Sequence, residues 1–272
     1  MEKSKIRQPA VAGQFYSSSA KEIKSQISAF ADWKAKKQDV IGCVLPHAGY
    51  MYSGAVAANV VSHIKIKENI IIMGPNHTGF GPAFSIMSEG SWQTPLGTVE
   101  INNLLAKSIL KSSHVKEDTL AHAYEHSIEV QLPFLQFQNT NFKIVPLVIG
   151  QADLEIYKEV GEQIANAIIE TNTKDSSLII ASSDMTHYES QESAGKKDKL
   201  AIDAILALDE TKLWQNVQKF DISMCGYAPT IIMLVAAKKL GAKKASLIKY
   251  QTSGDATGDY ASVVGYAGII VY

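Results

Sequence analysis

Cysteine is scarce. The 272-residue chain has only Cys43 and Cys225, too few for a disulfide framework, and reduced thiols of a cytoplasmic protein are the expectation. No Cys-x-x-Cys pair occurs, which excludes a structural zinc knuckle. Charge of one sign is lacking too. With 26 basic and 27 acidic residues the net charge is −1, so nothing electrostatic points to nucleic acid or an anionic membrane as a partner. No window approaches the ~20 apolar residues a membrane helix needs. The N-terminal MEKSKIRQPAVAGQFYSSS has no apolar run long enough for a signal peptide. Internal repeats, low-complexity stretches and Pro/Gly/Ser linkers are absent. So are a Gly-x-Gly-x-x-Gly after a first strand, a Gly-x-Ser-x-Gly elbow, and the Gly-Lys-Ser/Thr that would make a P-loop of the glycine-rich Ser253–Asp259.

What remains is an ordinary globular composition, 46% hydrophobic and 19% charged, in a chain long enough to bury a large core. Strand-like runs alternate with helix-like ones. Strands are expected at 40–45, 69–73, 142–149, 177–181, 245–250 and 261–271. Most are continuous Ile/Val/Leu runs, as for strands covered on both faces. A shorter pair, 83–87 and 97–101, is expected to form a hairpin. Helices are expected at 20–36 with Ser19 as N-cap, 54–63, 103–112, 125–136, 154–170, 199–206 and 229–240, the last closed by Gly241. The alternation predicts a three-layer α/β/α fold with a largely parallel central sheet. In such sheets ligands bind outside the carboxyl ends of the strands.

Three of the seven histidines fall at such ends. Pro46-His47-Ala48-Gly49-Tyr50 follows the first run, Gly74-Pro75-Asn76-His77 the second, and Ser182-Ser183-Asp184-Met185-Thr186-His187 the fourth. One histidine after a strand is an ordinary turn residue. Three, each in a short loop of turn formers, point to one shared crevice. Neutral imidazole is the commonest metal ligand, and a catalytic site needs a third protein ligand and an open position. Asp184, Glu125, Glu129 and a cysteine are the candidates. Cys43 lies mid-strand and reads as a small buried hydrophobe. Cys225 precedes a helix, where a thiol pKa is expected to fall. In Glu125-His126-Ser127-Ile128-Glu129, a helix would place His126 and Glu129 on one face, although an acidic first turn also complements the helix dipole. Glu125 and His126 are expected in or behind the pocket, with Tyr50 and Trp92 as its aromatic lining.

Taken together, these segments, with Tyr52-Ser53-Gly54, Trp92-Gln93-Thr94-Pro95-Leu96-Gly97 and Cys225-Gly226, resemble the Memo family. The resemblance runs in order from about Arg7 to Tyr272 and implies a single Memo-like domain over 1–272. It implies a fold similar to class III extradiol dioxygenases, non-haem Fe(II) enzymes that open catechol rings. By that likeness His47, His77 and Cys225 match the metal ligands. His187, with Asp184 beside it, matches the acid/base histidine. The dioxygenases use a glutamate where this family has the cysteine, so ring cleavage is not carried over. The resemblance implies one metal ion, Fe(II) first and Cu or Zn as alternatives. It implies metal-dependent redox chemistry on a small molecule, with a peptide- or ligand-binding module and a zinc hydrolase as other readings. Microbial members of the family occur beside or fused to a radical-SAM protein and an AMMECR-type protein, which are the implied partners.

Overall fold

The structure is a computed structural model and describes residues 6–272. Its strands are β1 (Ile6–Arg7), β2 (Gly42–Leu45), β3 (Asn69–Pro75), β4 (Phe84–Ile86), β5 (Ser91–Thr94), β6 (Gly97–Glu100), β7 (Lys116–Glu117), β8 (Lys143–Ile149), β9 (Ser177–Ser182), β10 (His187–Glu189), β11 (Ala245–Thr252) and β12 (Val263–Val271). Its helices are α1 (Ala20–Phe30), α2 (Tyr50–His63), α3 (Asn103–Ile109), α4 (Leu120–Ala123), α5 (Leu132–Gln138), α6 (Leu154–Glu170), α7 (Gln191–Leu206), α8 (Glu210–Phe220), α9 (Tyr227–Lys239) and α10 (Gly254–Thr257).

The main sheet runs β10-β12-β2-β9-β3-β8-β4-β7, with β11 paired to β12. Its centre, β2-β9-β3-β8, is parallel, and antiparallel β12 and β4 flank it. This is the expected three-layer α/β/α arrangement. The Ile/Val/Leu runs became the central strands because both faces are covered: β2, β3 and β9 are buried throughout. Helices α1, α2 and α5 pack together, as do α6, α9, α3 and α8. Ser19 caps α1 by accepting from the Glu22 N–H, and Gly241, at φ +106°, follows α9 as expected. No helix among the described residues is long and apolar enough to cross a membrane.

Register is what makes a site. Leu45 pairs with Ser182 and Met73 with Ala181, so β2, β9 and β3 end level and side by side. The loops that carry His47, Asp184 and His77 therefore leave the sheet as neighbours.

Two expected elements are wrong. The 83–87/97–101 hairpin does not form. β4 joins the main sheet beside β8 and β7, while β6 pairs with β5 in a small sheet of order β1-β5-β6. The turn residues Pro95 and Leu96 close the β5–β6 hairpin instead. The 125–136 helix is also absent as such. Residues 129–131 form one 3₁₀ turn and α5 begins only at Leu132. Glu125 takes its bonds from Arg7 and His77, and the Ser127 carbonyl takes one from Ser182, while the His126 carbonyl keeps a helical bond from the Val130 N–H. Helix α8 was not anticipated at all.

Candidate metal centre

His47 sits two residues past β2 and is buried. Its backbone N–H donates to Asp184 Oδ1 at 2.7 Å. Its Nδ1 lies 2.9 Å from Ser182 Oγ. That hydroxyl gives its own proton to the Ser127 carbonyl at 2.7 Å and also accepts from Gln131 Nε2 at 2.9 Å. It must therefore accept from His47 Nδ1–H, which leaves Nε2 with a free lone pair. Burial, and then the neighbouring His77, His126 and His187, hold His47 well below the usual histidine range, in its neutral form.

His77 is built by the same logic. Its Nδ1 lies 2.9 Å from Glu125 Oε1, and its N–H donates to Oε2 at 2.7 Å. Burial alone would raise the Glu125 pKa. The hydrogen bonds from His77 and from the Ser127 N–H outweigh it and bring it down to about 2. A carboxylate only accepts, so His77 carries its proton on Nδ1 and offers Nε2. A buried carboxylate behind an imidazole is the arrangement that orients a metal-binding histidine. Glu125 thus acts from behind His77, and only His126 faces the crevice. His126 stacks on His77 with ring centroids 4.7 Å apart; burial lowers its pKa.

The Cys225 sulfur lies 3.2 Å from His47 Nε2 and accepts from the Asp184 N–H at 3.3 Å. Gly226 makes this possible. A Cβ there would lie 2.3 Å from the Ser182 carbonyl oxygen, so only glycine lets the chain pass this close to the end of β9. The expected fall in thiol pKa does not occur. Burial, and second the Asp184 carboxylate, push the Cys225 thiol up, and the Gly226 N–H is committed to Ser183 Oγ. A bound cation reverses that balance, since a coordinating thiol is deprotonated outright.

His47, His77 and Cys225 each offer a ligand atom, and the three atoms lie within 4.8 Å of one another. Metal bonds of about 2.0–2.3 Å to nitrogen and sulfur make that span compatible with one ion. Two imidazoles with free Nε2 lone pairs and one sulfur also fit a transition metal chemically. His187 donates Nδ1–H to the Ser223 carbonyl at 2.9 Å, so its neutral form likewise carries a free Nε2. Asp184, 4% exposed, has its pKa raised to about 6 by burial, against the lowering effect of the His47 and Ala48 N–H groups and of His187.

A crevice of about 660 Å³ opens over this floor. His47, His77, His126, Asp184 and His187 line it, with Phe15, Tyr52, Tyr188, Tyr266 and the segment 253–264. Two expected lining residues are elsewhere. The Tyr50 ring stacks on Phe134 and its hydroxyl donates to the Val130 carbonyl; as the first residue of α2 it points into the core. Trp92 is fully buried under the Arg7 guanidinium, because β5 belongs to the small sheet. The aromatic lining that sequence reasoning missed is Phe15, Tyr52, Tyr188 and Tyr266. Tyr52 lies in a quoted motif and Tyr188 directly follows one, while Phe15 and Tyr266 give no local signal. Glu129, weighed as ligand or dipole partner, is neither. It pairs with Arg7 and accepts from the Ala10 and Val11 N–H groups and from Tyr16 Oη.

Comparison with known proteins finds relatives over nearly the whole chain. The family model described as Memo-like protein matches residues 7–270. A MEMO1 family protein of Methanosarcina mazei is 46% identical over 98% of this chain and 99% of its own. One from Methanocaldococcus jannaschii is 44% identical over the same shares, and one from Aquifex aeolicus is 41% identical, again over 98% and 99%. Among solved structures, the uncharacterized protein JW3007 from Escherichia coli K12 superposes with a TM-score of 0.61 at 13% identity. That match covers 85% of this chain and 99% of that one, a likeness of fold.

Proposed function

The chain belongs to the Memo family, and from that premise we propose that it is a metal-dependent redox protein whose ion is held by His47, His77 and Cys225 and whose small substrate enters the crevice above. The observation that carries this reading is the convergence of three donor atoms within 4.8 Å from three separate junctions of the fold. Fe(II) is the first choice, because two imidazoles and one carboxylate make the non-haem Fe(II) pattern and here Cys225 stands in the carboxylate's place; thiolate softness admits Cu and Zn. When bound, such an ion supplies redox chemistry and open positions for small ligands.

The remaining roles belong to the chain's own residues. Glu125 and Ser182 hold the two ligand imidazoles in the Nδ1–H tautomer. His187 is the acid/base. With Nδ1–H fixed on the Ser223 carbonyl, its Nε2 takes a proton from a bound hydroxyl or amine and returns it later. Asp184 holds the His47 loop through the backbone N–H.

Metal analysis of protein purified anaerobically under reductant tests the proposal. About one equivalent of Fe is expected in the wild type, and little in the His47→Ala/His77→Ala double variant, as for a site with three protein ligands. Full occupancy in the double variant would reject these ligands. A site that takes only zinc, with no consumption of O₂, would reject the redox reading in favour of hydrolysis.

A further inference from the structure

Apart from the histidines of its floor, His47, His77, His126 and His187, the charged side chains of the crevice are all acidic. Its lining holds two carboxylates, Asp184 and Asp259, and neither a lysine nor an arginine. Sites for phosphate or carboxylate ligands rely on those cations. Asp184 is committed to the floor. Asp259, at the rim, accepts from the Ala261 N–H through Oδ1 at 2.9 Å. Its second oxygen takes no hydrogen bond and no ion pair among the described residues.

The rim is built, not loose. The glycine-rich segment that lacks P-loop chemistry folds tightly on itself. A Cβ on Gly254 would lie 2.5 Å from the Tyr260 ring, and Gly258 turns the chain at φ +77°. The Thr252 N–H donates to Asp255 Oδ2, the Gln191 N–H to the Tyr260 carbonyl, and the Asp259 N–H to Thr257 Oγ1. Asp259 is therefore held in place before any ligand arrives.

Tyr188, also in the lining, is the second observation. It is 79% exposed and held at φ +60°, a conformation that L residues rarely keep without a reason. The register of β10 against β12 shifts between His187 and Glu189, and such bulges re-aim side chains beside functional sites. The ring lies 5.8 Å, centroid to centroid, from that of His187. A free carboxylate together with an aromatic face is what recognises an ammonium group.

We infer that the crevice selects an organic cation: a small amine whose ammonium group is held by Asp259 and the Tyr188 ring, with its other end toward His47, His77 and His187. The inference rests on the reading of this crevice as the substrate site.

Benzylammonium, benzyl alcohol and benzoate have one ring and three charges, and serve as probes. Binding of each to the full chain is measured by calorimetry at pH 7, with metal and after chelation. Benzylammonium is expected to bind about tenfold more tightly than the alcohol or the carboxylate, the usual gain from a charged hydrogen-bond partner. Asp259→Asn, an exposed substitution with little risk to the fold, is expected to abolish that preference, and Tyr188→Ala to weaken benzylammonium alone. Tighter binding of benzoate, equal binding of all three, absence of binding by any of them, or a preference that survives Asp259→Asn would each overturn the inference. Metal content of the same samples keeps the two ideas apart. Normal metal uptake without amine preference sinks only this inference, whereas failure to take up metal sinks the reading of the floor.

Discussion

Asp184 is a carboxyl group with almost no water around it. It has two backbone N–H donors, a thiol and His187 for company. Burial wins over those donors and lifts its pKa to about 6, against an unfolded value of about 3.9. Between about pH 4 and pH 6 the folded chain therefore keeps a proton that the unfolded chain has lost, and stability from this group declines as pH rises through that window. Metal-free protein is expected to lose on the order of 2 kcal/mol from this source between pH 4 and pH 7. Asp184→Asn, which keeps the shape and removes the titration, is expected to flatten that part of the profile. Urea unfolding of chelator-treated samples across pH measures it. Equal slopes for wild type and variant would show that the carboxyl is not held protonated.

At the scale of elements, the buried Arg7–Glu129 pair ties the N-terminal segment to the 122–131 segment. Arg7 also donates to the His122 and Glu125 carbonyls. Glu129 gathers Ala10, Val11 and Tyr16 and so positions Phe15, a wall of the crevice. Glu129→Gln leaves a buried guanidinium without its countercharge, and a loss of about 3 kcal/mol is expected. Arg7→Met/Glu129→Leu together remove the unpaired charge but leave the Ala10 and Val11 N–H groups and the Tyr16 hydroxyl without their acceptor, so only part of the loss is expected to return. Chemical denaturation of the wild type and the two variants decides; a double variant no more stable than the single one would place the cost elsewhere.

The same network explains what the sequence left illegible. The central strands were readable because burial on both faces leaves an unbroken apolar run. The three strand-end histidines were readable because the carboxyl ends of a parallel sheet face one way. Residues 125–131 look helical by the spacing of Ile128, Leu132 and Leu135, yet the Glu125 and Glu129 carboxylates, the Gln131 amide nitrogen and the Ser127 carbonyl are claimed by partners more than forty residues away. Long-range hydrogen bonding overrode local periodicity, and nothing in the local pattern announces it. Trp92 and Tyr50 were misplaced for a related reason. Their neighbours in sequence belong to the site, but their own side chains turn into the core of the small sheet and of α2.

At the scale of the whole molecule, the ligand atoms come from the ends of β2 and β3 and from the turn before α9, with Cys225 178 residues beyond His47. No unfolded chain brings such groups together, so a metal that binds here binds the native state and adds its binding free energy to stability. With free metal at 100 times the dissociation constant the gain is about 2.7 kcal/mol. For a chain of this size that corresponds to a rise of roughly 5–10 °C in melting temperature. The rise is expected with Fe(II) under anaerobic conditions, should reverse on chelation, and should vanish in His47→Ala/His77→Ala while persisting in Asp259→Asn, whose carboxylate lies at the rim. A melting temperature unmoved by Fe(II), Cu or Zn would leave the convergence of these three side chains without a metal to hold. An equal rise in the double variant would move the ion to other ligands, of which the set His77, Glu125 and His126 would then lose His77 as well and be excluded by the same experiment.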